Sequence, residues 1–252
     1  MATIYTLEAM TWPEARLALS KRPVGLLPIG AIEAHGPHLP LDSDVIIACA
    51  TAQRAAEILA EEGVSSVILP PIAYSVSFVG TSFAGTSPVD AQAFEAYLTS
   101  VLVHAANQGY RALICCNAHL EPAHVATIQT ACGTAESRSG IPVRSPDQRD
   151  AVHAARLGAE FIAGARHAGA YETSIVLHAQ PGAVRQSELG GLQAVWIDLP
   201  ARLREGALTF LDTGSQLGYF GNPATASAAE GERLLQTLGE IIVNGCRDAG
   251  VL

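Results

Sequence analysis

The sequence predicts an α/β fold built on a mostly parallel sheet with both faces covered by helices. Three observations predict it. Short apolar runs alternate with longer Ala-rich segments of helical period over the first 145 residues. The apolar runs are near-continuous rather than alternating, as strands buried on two faces require. Composition allows a large core, with 49% hydrophobic and only 15% charged residues in a chain of 252. That length suits one large α/β domain spanning residues 1–252.

Residues 1–22 read as a lead-in with a short amphipathic helix over Trp12–Ser20. Pro23–Gly30 is short, apolar and closed by glycine, which predicts a buried strand. A Gly/Pro-rich loop follows, and Asp44 opens an Ala-rich helix to about Glu62, where an acidic residue would cap free N–H groups. Ser65–Pro70 is the next strand. Pro71–Pro88, rich in Gly, Ser and Thr, is a long loop of the kind that often carries function. Val89–Gln108 has helical period and stops at Gly109. Arg111–Cys116 is a third strand, Pro122 suits the first turn of a helix to about Glu136, and Ile141–Arg144 is a fourth strand. Residues 166–174 form a loop entering a helix. Residues 181–222 are turn-rich with no assigned element, and a helix over Ala224–Cys246 closes the chain.

Composition also excludes partners. The formal charge is −9, with 15 Lys plus Arg against 24 Asp plus Glu and no basic block, so a nucleic-acid footprint is missing. No apolar run approaches the ~18 residues of a membrane span, and Met1–Met10 lacks the features of a signal peptide. Five cysteines, none in Cys-x-x-Cys spacing, read as reduced core thiols in a cytoplasmic protein. A mean hydropathy of +0.25 points to buried subunit interfaces and a homo-oligomer.

Two patches carry the chemistry: Glu33-Ala34-His35-Gly36 and Asn117-Ala118-His119-Leu120-Glu121. In each, a carboxylate and an imidazole stand two residues apart, so an extended backbone aims both at one side. Each follows a predicted strand, at the carboxyl end where open α/β sheets place their sites. With Asp44 as a shared oxygen donor, Glu33, His35, His119 and Glu121 form a set without thiolate that suits two Zn²⁺ or Mn²⁺ ions. Such a pair brings the pKa of water to about 7 and polarises a carbonyl. His167 is the candidate acid or base that protonates a leaving nitrogen, and Glu172 the group that orients an imidazole or ligand from behind. Ser77 in the long loop, Leu120 in the second patch and Tyr171 are candidate substrate contacts. No Gly-x-Ser-x-Gly elbow, P-loop or dinucleotide fingerprint is present, and no basic cluster surrounds the patches in the sequence to hold a phosphate.

Leu27-Pro28-Ile29-Gly30-Ala31-Ile32-Glu33-Ala34-His35-Gly36-Pro37-His38-Leu39-Pro40-Leu41-Asp42-Ser43-Asp44, the Asn117–Glu121 patch and His167-Ala168-Gly169 with Glu172-Thr173-Ser174 together resemble the signatures of the creatininase (creatinine amidohydrolase) family. The resemblance implies a three-layer α/β/α sandwich and a binuclear Zn or Mn site ligated by Glu33, His35, Asp44, His119 and Glu121, with Asp44 bridging. It implies His167 as acid/base, hydrolysis of a C–N bond in an amide or cyclic amide by a metal-bridging hydroxide, and a homo-oligomer, often a hexamer. A deformylase or peptidase of the same family, or a metal-stabilised binding protein without catalysis, are the alternatives. The only tryptophans, Trp12 and Trp196, lie outside the matching stretches, which argues against a flat creatinine-like substrate held under an indole lid.

Overall fold

The computed structural model describes residues 2–252. Five strands form one sheet: β1 (Ile4–Thr6), β2 (Val24–Ile29), β3 (Ser66–Ile68), β4 (Ala112–Asn117) and β5 (Val143–Arg144). Their order is β1-β3-β2-β4-β5, and every pairing is parallel. The lead-in thus contains an edge strand that the sequence reading passed over. β1 is three residues long and only half-buried, so it lacks the continuous apolar run that marks β2 and β4.

Helix α1 (Trp12–Leu19) precedes β2. The long helices α2 (Ser43–Glu61), α3 (Ala91–Ala106) and α4 (Pro122–Ser139) make the crossovers between parallel strands. Alternation along each strand divides the core. Leu27, Ile29, Leu113 and Cys115 pack under α3 and α4 with Phe94, Leu98, Leu102 and Ile128. Leu26, Ile114 and Cys116 face the other way, against Ala52, Ala55 and Leu59 of α2.

Short helices α5 (Ala151–Ala154) and α6 (Ala159–Ile162) lead to α7 (Ala170–Ala179). The segment left unassigned in sequence folds as helical turns α8 (Gln186–Leu189), α9 (Leu199–Arg204) and α10 (Phe210–Thr213). Each is too short for a 3.6-residue period to register. Helix α11 (Ala228–Asp248) closes the chain, packed on α2 and α7. A Cβ on Gly231 would fall 1.9 Å from the Ser174 carbonyl oxygen, so glycine permits that helix crossing. No described helix is long and apolar enough to cross a membrane.

Strand order reverses between β2 and β4: the chain moves from β2 to β3 on one side, then crosses to β4 on the other. Ile29 pairs with Asn117 at their shared end, and Ala118 N–H donates to the Ile29 carbonyl at 3.0 Å. The two patches therefore leave the sheet side by side at a switch point, where α/β sheets open a crevice.

Candidate metal centre

The first patch is placed by the end of β2. A Cβ on Gly30 would lie 2.6 Å from Val45 N and 2.7 Å from the Asp44 carbonyl carbon. Glycine lets the first turn of α2 press onto the strand end and carries Asp44 into the crevice. Asp44 is 1% exposed and Glu33 and His35 are fully buried. Helix capping does not explain Asp44: it lies inside the first turn of α2, and its carboxylate points at two imidazoles.

His35 Nδ1 lies 3.0 Å from the Glu33 carbonyl, which can only accept, so Nδ1 carries the proton. Nε2 then faces Asp44 Oδ1 at 3.3 Å and Glu172 Oε2 at 3.6 Å. His119 Nδ1 stands 3.1 Å from Asp44 Oδ2 and 3.2 Å from Glu33 Oε2. Asn117 holds that loop, its Nδ2 donating to the His119 carbonyl at 2.7 Å and its Oδ1 accepting from His119 N–H at 3.2 Å. The result is three three-residue groups, Glu33–Asp44–His119, His35–Asp44–Glu172 and Glu33–His35–His167, in each of which the ligand atoms lie within 4.8 Å of one another.

The first two share Asp44. Both oxygens of Glu33, His35 Nε2, Asp44 Oδ2 and His119 Nε2 are buried without a hydrogen bond. Buried polar atoms are normally paired, and donors converging on empty directions are what a cation completes.

Electrostatics without a cation says the same. Burial alone would lower His35, but the carboxylates of Asp44, Glu172 and Glu33 outweigh it and push the ring up to about 10. Burial also opposes the charge of His119, yet Glu33 and Asp44 raise it well above its ordinary value. Glu172 is pushed up to about 8 by burial, with His35 opposing and Asp44 adding to the rise.

Glu172 lies closer to the cluster than its sequence position suggests. It sits in the first turn of α7, accepts from Ala168 N–H at 2.5 Å and aims its carboxylate into the cluster itself, rather than supporting a ligand from behind. Ala168 takes a left-handed φ of 52° to present that N–H. Glu121, expected in the ligand set, lines the same cavity as His119 and lies beside it. Its Oε2 accepts from Val79 N–H at 3.1 Å and lies 3.9 Å from His119 Nε2, the ring nitrogen not facing Glu33 and Asp44. Pro122 starts α4 directly after Glu121 and turns this residue toward the 310 turn Val79–Ser82.

His167 belongs to the third group, with Glu33 and His35. Its Nε2 donates to the Ala34 carbonyl at 2.8 Å, leaving Nδ1 3.8 Å from Glu33 Oε2. Burial, then the charge of His35, lowers it to about 4. A cavity of about 650 Å³ opens onto Glu33, Asp44, His119, Leu120, Glu121, His167 and Glu172. Ser77 is fully buried off this wall. Tyr171 is also off it, donating to Gln148 Oε1 at 2.9 Å and packing on Phe161.

Sequence reasoning missed part of the wall. Arg149, Arg166 and Arg204 reach it from three separate segments, so the basic cluster absent from the linear sequence exists in the fold. Phe210, from the unassigned stretch, stacks on His167 with ring centroids 4.3 Å apart. Neither carries a local signal, because each is defined by partners far away in the chain.

Comparison with known proteins agrees with this geometry. The profile of the Creatininase family, described as creatinine amidohydrolase, matches residues 8–245. This chain belongs to the creatininase family. It is a hydrolase acting on carbon–nitrogen bonds. It is 34% identical over 230 residues to the mycofactocin precursor peptide peptidase of Mycolicibacterium smegmatis (strain ATCC 700084 / mc(2)155), covering 90% of this chain and 83% of that protein. It is 30% identical over 119 residues to the creatinine amidohydrolase of Pseudomonas putida, covering 44% of each. Solved creatininases share the fold. One described as creatinine amidohydrolase aligns with a TM-score of 0.74 at 24% identity, over 96% of both chains. Another, described as creatininase Mn, aligns with a TM-score of 0.73 at 22% identity over 98% of both.

Proposed function

We propose that this protein is a two-metal amidohydrolase that cleaves a carbon–nitrogen bond in a linear amide or short peptide. The reading is carried by the two groups that share Asp44, in which both Glu33 oxygens, His35 Nε2 and Asp44 Oδ2 are buried and unpaired. Imidazole nitrogens and carboxylate oxygens without thiolate suit Zn²⁺ or Mn²⁺. Glu33, Asp44 and His119 would hold one ion, and His35, Asp44 and Glu172 the other. Bound there, the pair would bring the pKa of a water to about 7 and polarise the substrate carbonyl.

The remaining chemistry belongs to the chain. An amine leaves only after its nitrogen is protonated. His167 suits that transfer: its Nε2–H is committed to Ala34 and the ring is neutral at pH 7, so Nδ1 would first take the proton of the attacking water and then pass it to the leaving nitrogen. Phe210 on the ring face and the Ala34 hydrogen bond fix its orientation. Glu121, raised by burial, is a second proton carrier on the same wall. A linear substrate is favoured over a flat lactam because no tryptophan lines the cavity among the described residues. The extended similarity to peptide peptidases points the same way. Exposed Trp12, Leu17 and Trp196 support assembly into a homo-oligomer.

The test is a panel of short peptides, N-acyl amino acids and lactams, assayed after chelation and after reloading with Zn²⁺ or Mn²⁺. Turnover of linear amides should vanish on chelation and return on reloading. Full turnover in the chelated protein would overturn the reading.

A further inference from the structure

The three arginines of the cavity wall are not equivalent. Arg149 is satisfied by Asp147, with Nε at 3.0 and 3.1 Å from the two carboxylate oxygens and Nη2 at 2.7 Å from Oδ2. Arg166 is fixed but not neutralised. Its Nε donates to the Phe161 carbonyl at 2.8 Å, and its guanidinium lies 4.7 Å from the centroid of the Phe161 ring. Those contacts orient the group and leave its two terminal nitrogens without a hydrogen bond or ion pair to any described residue. Arg204, at the end of α9, is exposed and likewise unpaired among the described residues.

The arrangement costs stability. Burial and then the charge of Arg149 hold the Arg166 guanidinium below its ordinary value, Asp198 and Asp147 oppose that fall, and Arg204 adds to it. A half-buried cation kept beside two others, with its planar fork open to a cavity, marks an anion site. A purely structural role through Phe161 accounts for Nε and one face, but not for the free fork.

The chemistry of the anion follows from the shape of the Arg166 fork, the half-buried guanidinium of the wall that is fixed yet unpaired. A planar fork with two parallel N–H donors matches a carboxylate. Its position relative to the reaction is set by the chain. Arg166 precedes His167, their Cα atoms are ~3.8 Å apart across a trans peptide, and both line the same cavity.

We propose that Arg166, backed by Arg204, binds a free carboxylate on the substrate, so that the amide cleaved carries its carboxylate close to the scissile bond. This rests on the amidohydrolase reading and names the substrate class of that site.

The test uses metal-loaded protein and matched pairs, N-acetyl dipeptides with a free C-terminal carboxylate and the same compounds as carboxamides. Binding is measured separately by calorimetry with N-acetylglycine and N-acetylglycinamide. The wild type should favour the acid by about tenfold or more, the scale of a charge-assisted bidentate contact. In Arg166→Gln the acid-to-amide ratio of kcat/KM should fall to about one or below, with Arg166→Lys between. Should Arg166→Gln fail to fold, Arg166→Lys and Arg204→Gln carry the comparison, and each should lower the ratio.

A wild type that does not discriminate overturns the proposal, as does a ratio unchanged in the folded variants. Inorganic phosphate that displaces N-acetylglycine at lower concentration than acetate does would also overturn it. If no amide is turned over but acid-selective, Arg166-dependent binding persists, the carboxylate site stands and the hydrolytic reading falls. Turnover without acid preference gives the reverse.

Discussion

Replacing Glu172 with Gln tests which carboxylates belong to the centre. Glu172 Oε2 lies 3.6 Å from His35 Nε2 within a ligand group, whereas Glu121 lies 3.9 Å from His119 Nε2 and is held by Val79. In the metal-free protein Glu172 is pushed up to about 8, so it is largely neutral at pH 7 and Gln is a close mimic. The variant should therefore fold normally without metal, and its defect should emerge only on loading. Free metal at 1,000 times its Kd stabilises a folded protein by about 4.1 kcal/mol per site. At this chain length each kcal/mol moves Tm by about 2–4 °C, so one occupied site is worth about 8–16 °C. Loss of partners behind a metal ligand costs 10–100-fold in affinity, so loss of a ligand itself should cost about 100-fold or more. That is about 2.7 kcal/mol, or about 5–11 °C of the metal-induced shift. Glu121→Gln should keep the shift to within about 2 °C while turnover falls. Thermal denaturation of chelated protein titrated with Zn²⁺ or Mn²⁺, with metal content measured after desalting, checks both. If Glu172→Gln kept two metals and the full shift while Glu121→Gln lost them, the assignment of the second site would be refuted.

Gly30→Ala should cost about 1–3 kcal/mol, because its Cβ meets the backbone of Asp44 and Val45 below 3 Å. A displacement of Asp44 approaching 1 Å should also lower turnover by about a hundredfold; a crystal structure and steady-state kinetics read both, and unaltered kinetics would show that the helix start does not position the site. Metal binding at pH 7 should release at least two protons, because His35 and Glu172 are pushed up to about 10 and about 8 in the metal-free state. Calorimetry in two buffers of different ionisation enthalpy counts them, and zero release would defeat the ligand set. Metal-free stability should peak near pH 6.5. Below it, His38 and His167 bind protons in the unfolded chain but not in the fold until about pH 4, so stability falls with pH by up to about 1.4 kcal/mol per ring per unit, while Glu172 offsets one of them. Above it, His35 and Glu172 hold protons that the unfolded chain has released, and stability falls as pH rises toward about 10 and about 8. Urea denaturation at pH 5, 6.5 and 9 reads the curve, and a monotonic dependence would contradict it.

The sheet and its site were legible where local pattern and tertiary role coincide. Val24–Ile29 and Ala112–Asn117 are buried along nearly their whole length, so continuous apolarity located them and the patches that follow. Strand β1 escaped because an edge strand three residues long has no pattern of its own. His119 and Glu121 share a local spacing and meet at 3.9 Å, while the helix start at Pro122 also turns Glu121 toward Val79. Glu172 shares no local spacing with His35: α7 delivers it from 137 positions further along the chain, a relation that only packing creates. Arg149, Arg166 and Arg204 were invisible as a group for the same reason.

The charge balance of the centre explains why an arginine would be useful there. Without metal, Glu33, Asp44 and Glu172 are balanced by protons on His35, His119 and Glu172 itself. Two divalent ions would expel those protons and leave the cluster with one net positive charge, a site that attracts any anion. A substrate bearing a carboxylate would then be drawn to the metals by the wrong group, since carboxylate oxygen outcompetes an amide carbonyl for a hard cation. Productive binding requires a rival for that carboxylate, close enough to fix the register of the amide and far enough to keep the carboxylate off the ions. Arg166 is the candidate for that rival: it is one residue from His167, lines the same cavity and is pinned by the Phe161 carbonyl and ring, with its fork unpaired. On this argument Arg166→Gln acts on KM and on binding mode together. The free acid should become an inhibitor competing with its own carboxamide, with the inhibition strengthening as metal occupancy rises. Inhibition by the acid that is equal in wild type and variant would show that the metals, and not the arginine, decide where the carboxylate goes.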